Sequence, residues 1–299
     1  MKKIILDQNN LKGFFSPVGP LHSHHEGHIW PYDYVDRGSD KLLVTIGDSW
    51  TWGSGIDNSY NSANNEPEVQ KKFRLNNLYG NLISSAKDMN WLNLGFYAQG
   101  NQWIANKVFE LRALVPLLAF KEITVMCILT GTGRWFYTWQ DSLSDYKNCF
   151  QTNKMLDLED YEEFFINLNR KILQQIKMLT SSADTIKLLV GTNAVDHCGF
   201  DVLNKEEIIP KPWYQLLSHT RLDGISVDNE SLKYLPNIEK FLANSDQKFI
   251  FQKWMLEKIN QAEKQTKMLN NMNYVSQDTF HPNYNGHKQW ANYLIDNIL

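Results

Sequence analysis

Three residues set the chemical question. Ser49 ends the stretch LLVTIGDS, an apolar run closed by Gly47 and Asp48, while Asp278 and His281 stand three apart near the C-terminus in VSQDTFHPNYNGHKQWANYL. A serine hydroxyl is scarcely ionised at neutral pH and becomes a nucleophile only when a base takes its proton. An imidazole can take it, and a carboxylate accepting the other ring N–H fixes tautomer and orientation. This set of side chains points to covalent acyl transfer. The bland alternative for Ser49 is a turn serine capping the next helix; for Asp48, a side chain tying that turn together is the preferred reading.

For such groups to meet, a scaffold must carry residue 49 and residue 281 to one place. Four apolar runs have the length and composition of strands buried on both faces: LLVTIG (42–47), WLNLG (91–95), EITVMCILTG (122–131) and TIKLLVGTN (185–193). Helix-compatible segments lie between them, beginning NNLYGNLISS, NQWIANKVFE and DLEDYEEFFINL. In the last of these, Phe164, Phe165, Leu168, Ile172, Ile176 and Leu179 form one apolar stripe, and Asp157, Glu159 and Asp160 crowd the first turn. The alternation predicts an α/β fold, a parallel sheet sandwiched by helices. Chemistry in such sheets gathers at the carboxyl ends of the strands. Ser49, Gly131 and Asn193 fall at such ends.

Together, Gly47-Asp48-Ser49 after an apolar strand and Asp278-Thr279-Phe280-His281-Pro282 near the C-terminus resemble the GDSL/SGNH hydrolases, over roughly residues 40 to 299. The resemblance implies a three-layer α/β/α sandwich with a flavodoxin-like parallel sheet and an esterase or lipase activity. It implies Ser49 as nucleophile, His281 as base and Asp278 as orienter. It further implies an oxyanion site built from the Ser49 N–H, a glycine N–H and an asparagine amide. Gly100 is the expected glycine, with Gly95 second. The asparagine position departs from the family pattern: the chain reads Gly131-Thr132-Gly133-Arg134 there. Thr132, Arg134 and Asn193 are the substitutes, with Arg134 preferred because a guanidinium suits an oxyanion or an acidic substrate.

The expected reaction is hydrolysis of short acyl esters, preferably on a carbohydrate, because Trp50, Trp52 and Trp135 fall beside strand ends where they can stack on sugar. Aromatic packing beneath loops explains these residues equally well. The alternatives are an inert binding protein on the same fold and an O-acyltransferase using the same acyl-enzyme. The segment LHSHHEGHIW places His22, His24, His25 and His28 close together but lacks the HExxH spacing, so a substrate-side or surface loop is preferred to a metal site. No metal or cofactor is expected.

Residues 1 to about 40 read as an N-terminal extension, 41–299 as the hydrolase-like domain, and about 200–245 as an insertion beside the site. A net charge of −3 gives no general attraction to nucleic acid or anionic membranes. The expected partner is a small-molecule or glycan ester, with a homo-oligomer left open. Three cysteines without a CxxC pair fit a reducing compartment or plain buried thiols. The opening MKKIILDQNNLKG lacks a secretory signal's apolar core, and no stretch nears the roughly 18 apolar residues that span a bilayer. The expected site of synthesis and initial residence is the cytoplasm.

Overall fold

The apolar runs form strands in which both faces are covered. The computed structural model describes residues 4–17, 31–54, 56, 68–96, 100–130, 158–193, 199–213, 216 and 281–299. Its strands are β1 (Asp33–Val35), β2 (Lys41–Gly47), β3 (Asn90–Asn93), β4 (Glu122–Leu129) and β5 (Ile186–Thr192). They lie in the order β1-β3-β2-β4-β5. β3, β2, β4 and β5 are parallel neighbours, with Leu43 opposite Trp91 and Thr124, and Val125 opposite Leu188. Taken alone, these four run second-first-third-fourth in chain order, the arrangement of flavodoxin-like sheets. β1 departs from the expected parallel sheet: it pairs antiparallel with β3 and forms that edge.

The helices are α1 (Ser49–Trp52), α2 (Glu68–Asn77), α3 (Tyr79–Ala86), α4 (Asn101–Leu114), α5 (Leu158–Lys177) and α6 (Tyr284–Asn297). Successive strand residues point to opposite faces, so each strand feeds two cores. Val44, Ile46, Val125, Cys127 and Val190 meet α4 and α5 through Ile104, Val108, Leu111, Leu173 and Ile176. Leu43, Trp91, Met126, Ile128 and Leu189 meet α3 and α6 through Tyr79, Ile83, Trp290 and Leu294. The result is the three-layer α/β/α sandwich.

Residues 4–15 are part of this body. Leu6, Leu11 and Phe15 are buried in the core shared with α4. Ser16 donates its hydroxyl to Glu110, and buried Lys107 donates to Ser16 O (2.8 Å), Ser16 Oγ (2.9 Å) and Glu110 Oε2 (2.8 Å). Tyr32 closes the group by donating to the Ser16 carbonyl. Three acceptors around one nitrogen are what an ammonium requires, so Lys107 acts as a charged staple. Among the described residues no helix is long and apolar enough to cross a membrane.

Candidate active site

The turn that carries Ser49 is built from the end of β2. Gly47 is required by close approach: a Cβ there would stand 2.1 Å from Thr51 Oγ1. Asp48 caps the one-turn helix α1, its Oδ1 accepting from the Trp50 N–H (3.0 Å). Its Oδ2 accepts from the Asn193 amide (2.7 Å), tying the end of β2 to the end of β5. Gly53, at φ 93°, ends the turn in the left-handed region that glycine tolerates best. Ser49 therefore sits between β3 and β4, where the chain order in the sheet reverses and a crevice forms outside the carboxyl ends.

His281 arrives from the other end of the chain. Two residues after it, Asn283 caps α6, its Oδ1 accepting from Asn285 N (3.0 Å) and Gly286 N (3.1 Å). That cap fixes where the helix starts, and with it the approach of His281. His281 Nε2 stands 2.8 Å from Ser49 Oγ. Ser49 is 3% exposed and His281 9%, so the contact is shielded from bulk water. With Nε2 accepting from the hydroxyl, the neutral imidazole carries its proton on Nδ1.

Several expected positions lie outside the described residues: Asp278, Thr132, Arg134, Trp135 and the cluster from His22 to His28. Of the described ones, Gly100 is buried and caps α4. Asn101, next to it, pairs with the end of β4. Its Nδ2 donates to Thr130 O (3.0 Å), and its Oδ1 accepts from Thr130 N (2.9 Å). The start of α4 is thereby locked to the sheet edge that carries Ser49. Gly95, the second choice for an oxyanion donor, has its N–H committed to Asn93 Oδ1 (3.1 Å).

Asn193, one of the substitute oxyanion donors, gives an amide N–H to Asp48 and so ties the two strand ends together. One expectation needs correction. Trp50 and Trp52 are core residues, 5% and 2% exposed, and neither offers an open ring face for a sugar. Trp50 meets Trp213 edge-on at 5.3 Å, and Trp52 lies under the Arg74 guanidinium at 4.4 Å. Asn101, Asn283 and Arg74 are contributors that sequence reading passed over. Of these, only Asn283 left a signal, the Pro-Asn step before an amphipathic helix.

His287, on α6, is fully buried. Its Nδ1 accepts from the Tyr79 N–H (3.4 Å), its ring stacks on Tyr79, and Trp213 meets it edge-on at 4.9 Å. Burial, with the positive charges of His281 and Arg74, pushes it down to about 3. It is neutral at working pH. Among the described residues no three His, Cys, Asp or Glu side chains gather in a way that would hold a metal ion.

No family model matches the chain, and no curated protein matches it. Among solved structures it is similar to a lipase from a goat rumen metagenome, at 12% identity over 85% of this chain and 95% of that one, with a TM-score of 0.40. It is also similar to a lipolytic G-D-S-L family protein from Veillonella parvula DSM 2008, at 14% identity over 86% and 97%, with a TM-score of 0.32. A carbohydrate esterase family 2 enzyme from Corynascus thermopiles is similar at 13% identity over 86% and 65%, with a TM-score of 0.35. At these overlaps the geometry of the site itself, and not the likeness, carries its reading.

Proposed function

We propose that this chain is a serine ester hydrolase. The observation that carries the proposal is the 2.8 Å contact between Ser49 Oγ and His281 Nε2, made by residues 232 positions apart and shielded from solvent. In the proposed cycle Ser49 Oγ attacks the ester carbonyl as His281 Nε2 takes the hydroxyl proton. The tetrahedral oxyanion is met by the N–H groups of Ser49 and Gly100. Collapse breaks the bond to the alcohol oxygen, which leaves with the proton from His281. Water then attacks the acyl-enzyme, with His281 again accepting the proton, and Ser49 is regenerated. Asp278 is assigned as orienter on its spacing from His281, and Thr132 or Arg134 as the third oxyanion donor on sequence position.

The finer proposal is a short acyl group on a small alcohol or carbohydrate. Burial of Trp50 and Trp52 withdraws two of its three aromatic supports, so the alcohol is decided by assay. Ser49→Ala and His281→Ala are expected to lower p-nitrophenyl acetate hydrolysis by at least about a thousandfold while leaving the fold intact by circular dichroism. Wild-type rates in the variants would refute the assignment. Product analysis with acetylated sugars, and with an added acceptor alcohol, separates hydrolysis from acyl transfer, and a folded wild type inert to every ester favours a binding role.

A further inference from the structure

Arg74 is a charged side chain where charge is costly. A guanidinium stays protonated at any working pH, and burying one without partners costs several kcal/mol. Yet Arg74 is 2% exposed. Its contacts account for the position. Nη1 donates to Trp52 O (3.0 Å), Nη2 stands 3.6 Å from Asp33 Oδ2, and the planar group covers the Trp52 ring. Asp33, on β1, is itself buried, with Lys71 4.0 Å from its other oxygen.

Trp52 O is the last carbonyl of α1, the turn that begins with Ser49. Helix ends leave such carbonyls without intrahelical donors, and a cation there is favourable. The turn is thus held at both ends: Asp48 accepts from the Trp50 N–H and Arg74 donates to the last carbonyl. The guanidinium stands between that carbonyl and Asp33, so the cation is the nearer charge to the turn.

Taking Ser49 as the nucleophile, as proposed above, we propose that Arg74 is a positioning residue. Its guanidinium clamps the nucleophile turn from behind and fixes a positive charge within one helical turn of the Ser49–His281 pair.

A fixed cation near His281 disfavours the imidazolium, so it keeps the base free at lower pH. The geometry places the cation there: it holds the last carbonyl of the one-turn helix whose first residue, Ser49, contacts His281 Nε2. The titratable and charged groups on the elements that pack about the turn are Asp48 on the turn itself, Arg74 and Lys71 on α2, Tyr79 on α3, His287 on α6 and Asp33 on β1, with Asp278 the candidate orienter outside the described residues. His287 is neutral over the working range, and Lys71 is solvent-screened. Loss of the Arg74 charge therefore acts in one direction.

The test is the rate of Ser49 labelling by a fluorophosphonate across about pH 5–8, where an imidazole base titrates. Arg74→Gln keeps a donor for Trp52 O and removes the charge. It is expected to slow labelling by about tenfold or more, as a displaced nucleophile does. It should also move the acid limb to higher pH by about half a unit or more. Arg74→Lys keeps the charge and loses the fork, so the rate falls and the limb stays. Because Arg74→Gln leaves Asp33 with only the more distant Lys71, Arg74→Gln/Asp33→Asn is measured beside it, and its limb also moves upward. A limb at the wild-type position in a folded glutamine variant overturns the inference. If the wild type itself is not labelled at Ser49, the nucleophile assignment fails first and this inference with it.

Discussion

At the scale of single residues, burial decides which polar groups titrate. His287 in the folded protein is pushed from 6.5 to about 3, chiefly by desolvation. Between those values the unfolded chain binds a proton that the native state does not, so stability rises with pH and is lost as pH falls below about 6.5. At pH 5 this one group is expected to cost about 2 kcal/mol relative to pH 7. Urea unfolding of the wild type and His287→Phe at both pH values measures it. The phenylalanine variant should lose less on acidification, and an identical loss in both would refute the assignment. His287 and His281 look alike in the sequence; their roles separate only when one is found against Ser49 and the other sealed between Tyr79 and Trp213. Trp50 and Trp52 teach the same lesson. Position beside a strand end was legible, but the direction of the rings was set by Trp213 and Arg74, far away in the chain.

Among elements, the strand β2 and its following turn carry the most exacting geometry. Gly47→Ala places a methyl 2.1 Å from Thr51 Oγ1, 2.8 Å from Thr51 Cβ and 3.0 Å from the Ile128 carbonyl. The expected loss is about 3 kcal/mol, read from the urea midpoint. Asn193→Ala removes a buried donor from Asp48 and should cost about 1–3 kcal/mol. Asn193→Asp sets two carboxyl groups together and should cost more at neutral pH than at pH 4, the reverse of the His287 trend. A glycine, an aspartate and a serine at the end of an apolar run were visible in the sequence as a strand-to-helix turn. The strand assignments were legible for a physical reason: burial on both faces leaves an unbroken apolar run. β1 was not, since Asp-Tyr-Val is short, lies at an edge, and draws its pairing from β3 nearly sixty residues later. Arg74 was equally hidden, because nothing in EVQKKFRLNN marks one cation of several as the buried one.

For the molecule as a whole, the two cores flanking the sheet hold the distant parts of the chain in register. The first sixteen residues contribute Leu6, Leu11 and Phe15 to one of them, each about 2% exposed. At about 1.5–3 kcal/mol for each buried side chain, deleting residues 1–16 removes about 5–9 kcal/mol, comparable to the stability of a typical domain. The truncated chain is expected to lose its cooperative thermal transition, as followed by circular dichroism. A sharp transition at the wild-type temperature would show that this segment is dispensable. The same sheet brings Ser49 from the end of its central strand to His281, just ahead of the last helix. That meeting is the central claim, and active-site labelling tests it most directly. Incubation with a fluorophosphonate, followed by peptide mass spectrometry, should find one phosphonylated serine at position 49. Labelling should vanish in Ser49→Ala and be strongly slowed in His281→Ala. Modification of another residue, or labelling of Ser49 at an unchanged rate without His281, would contradict the account.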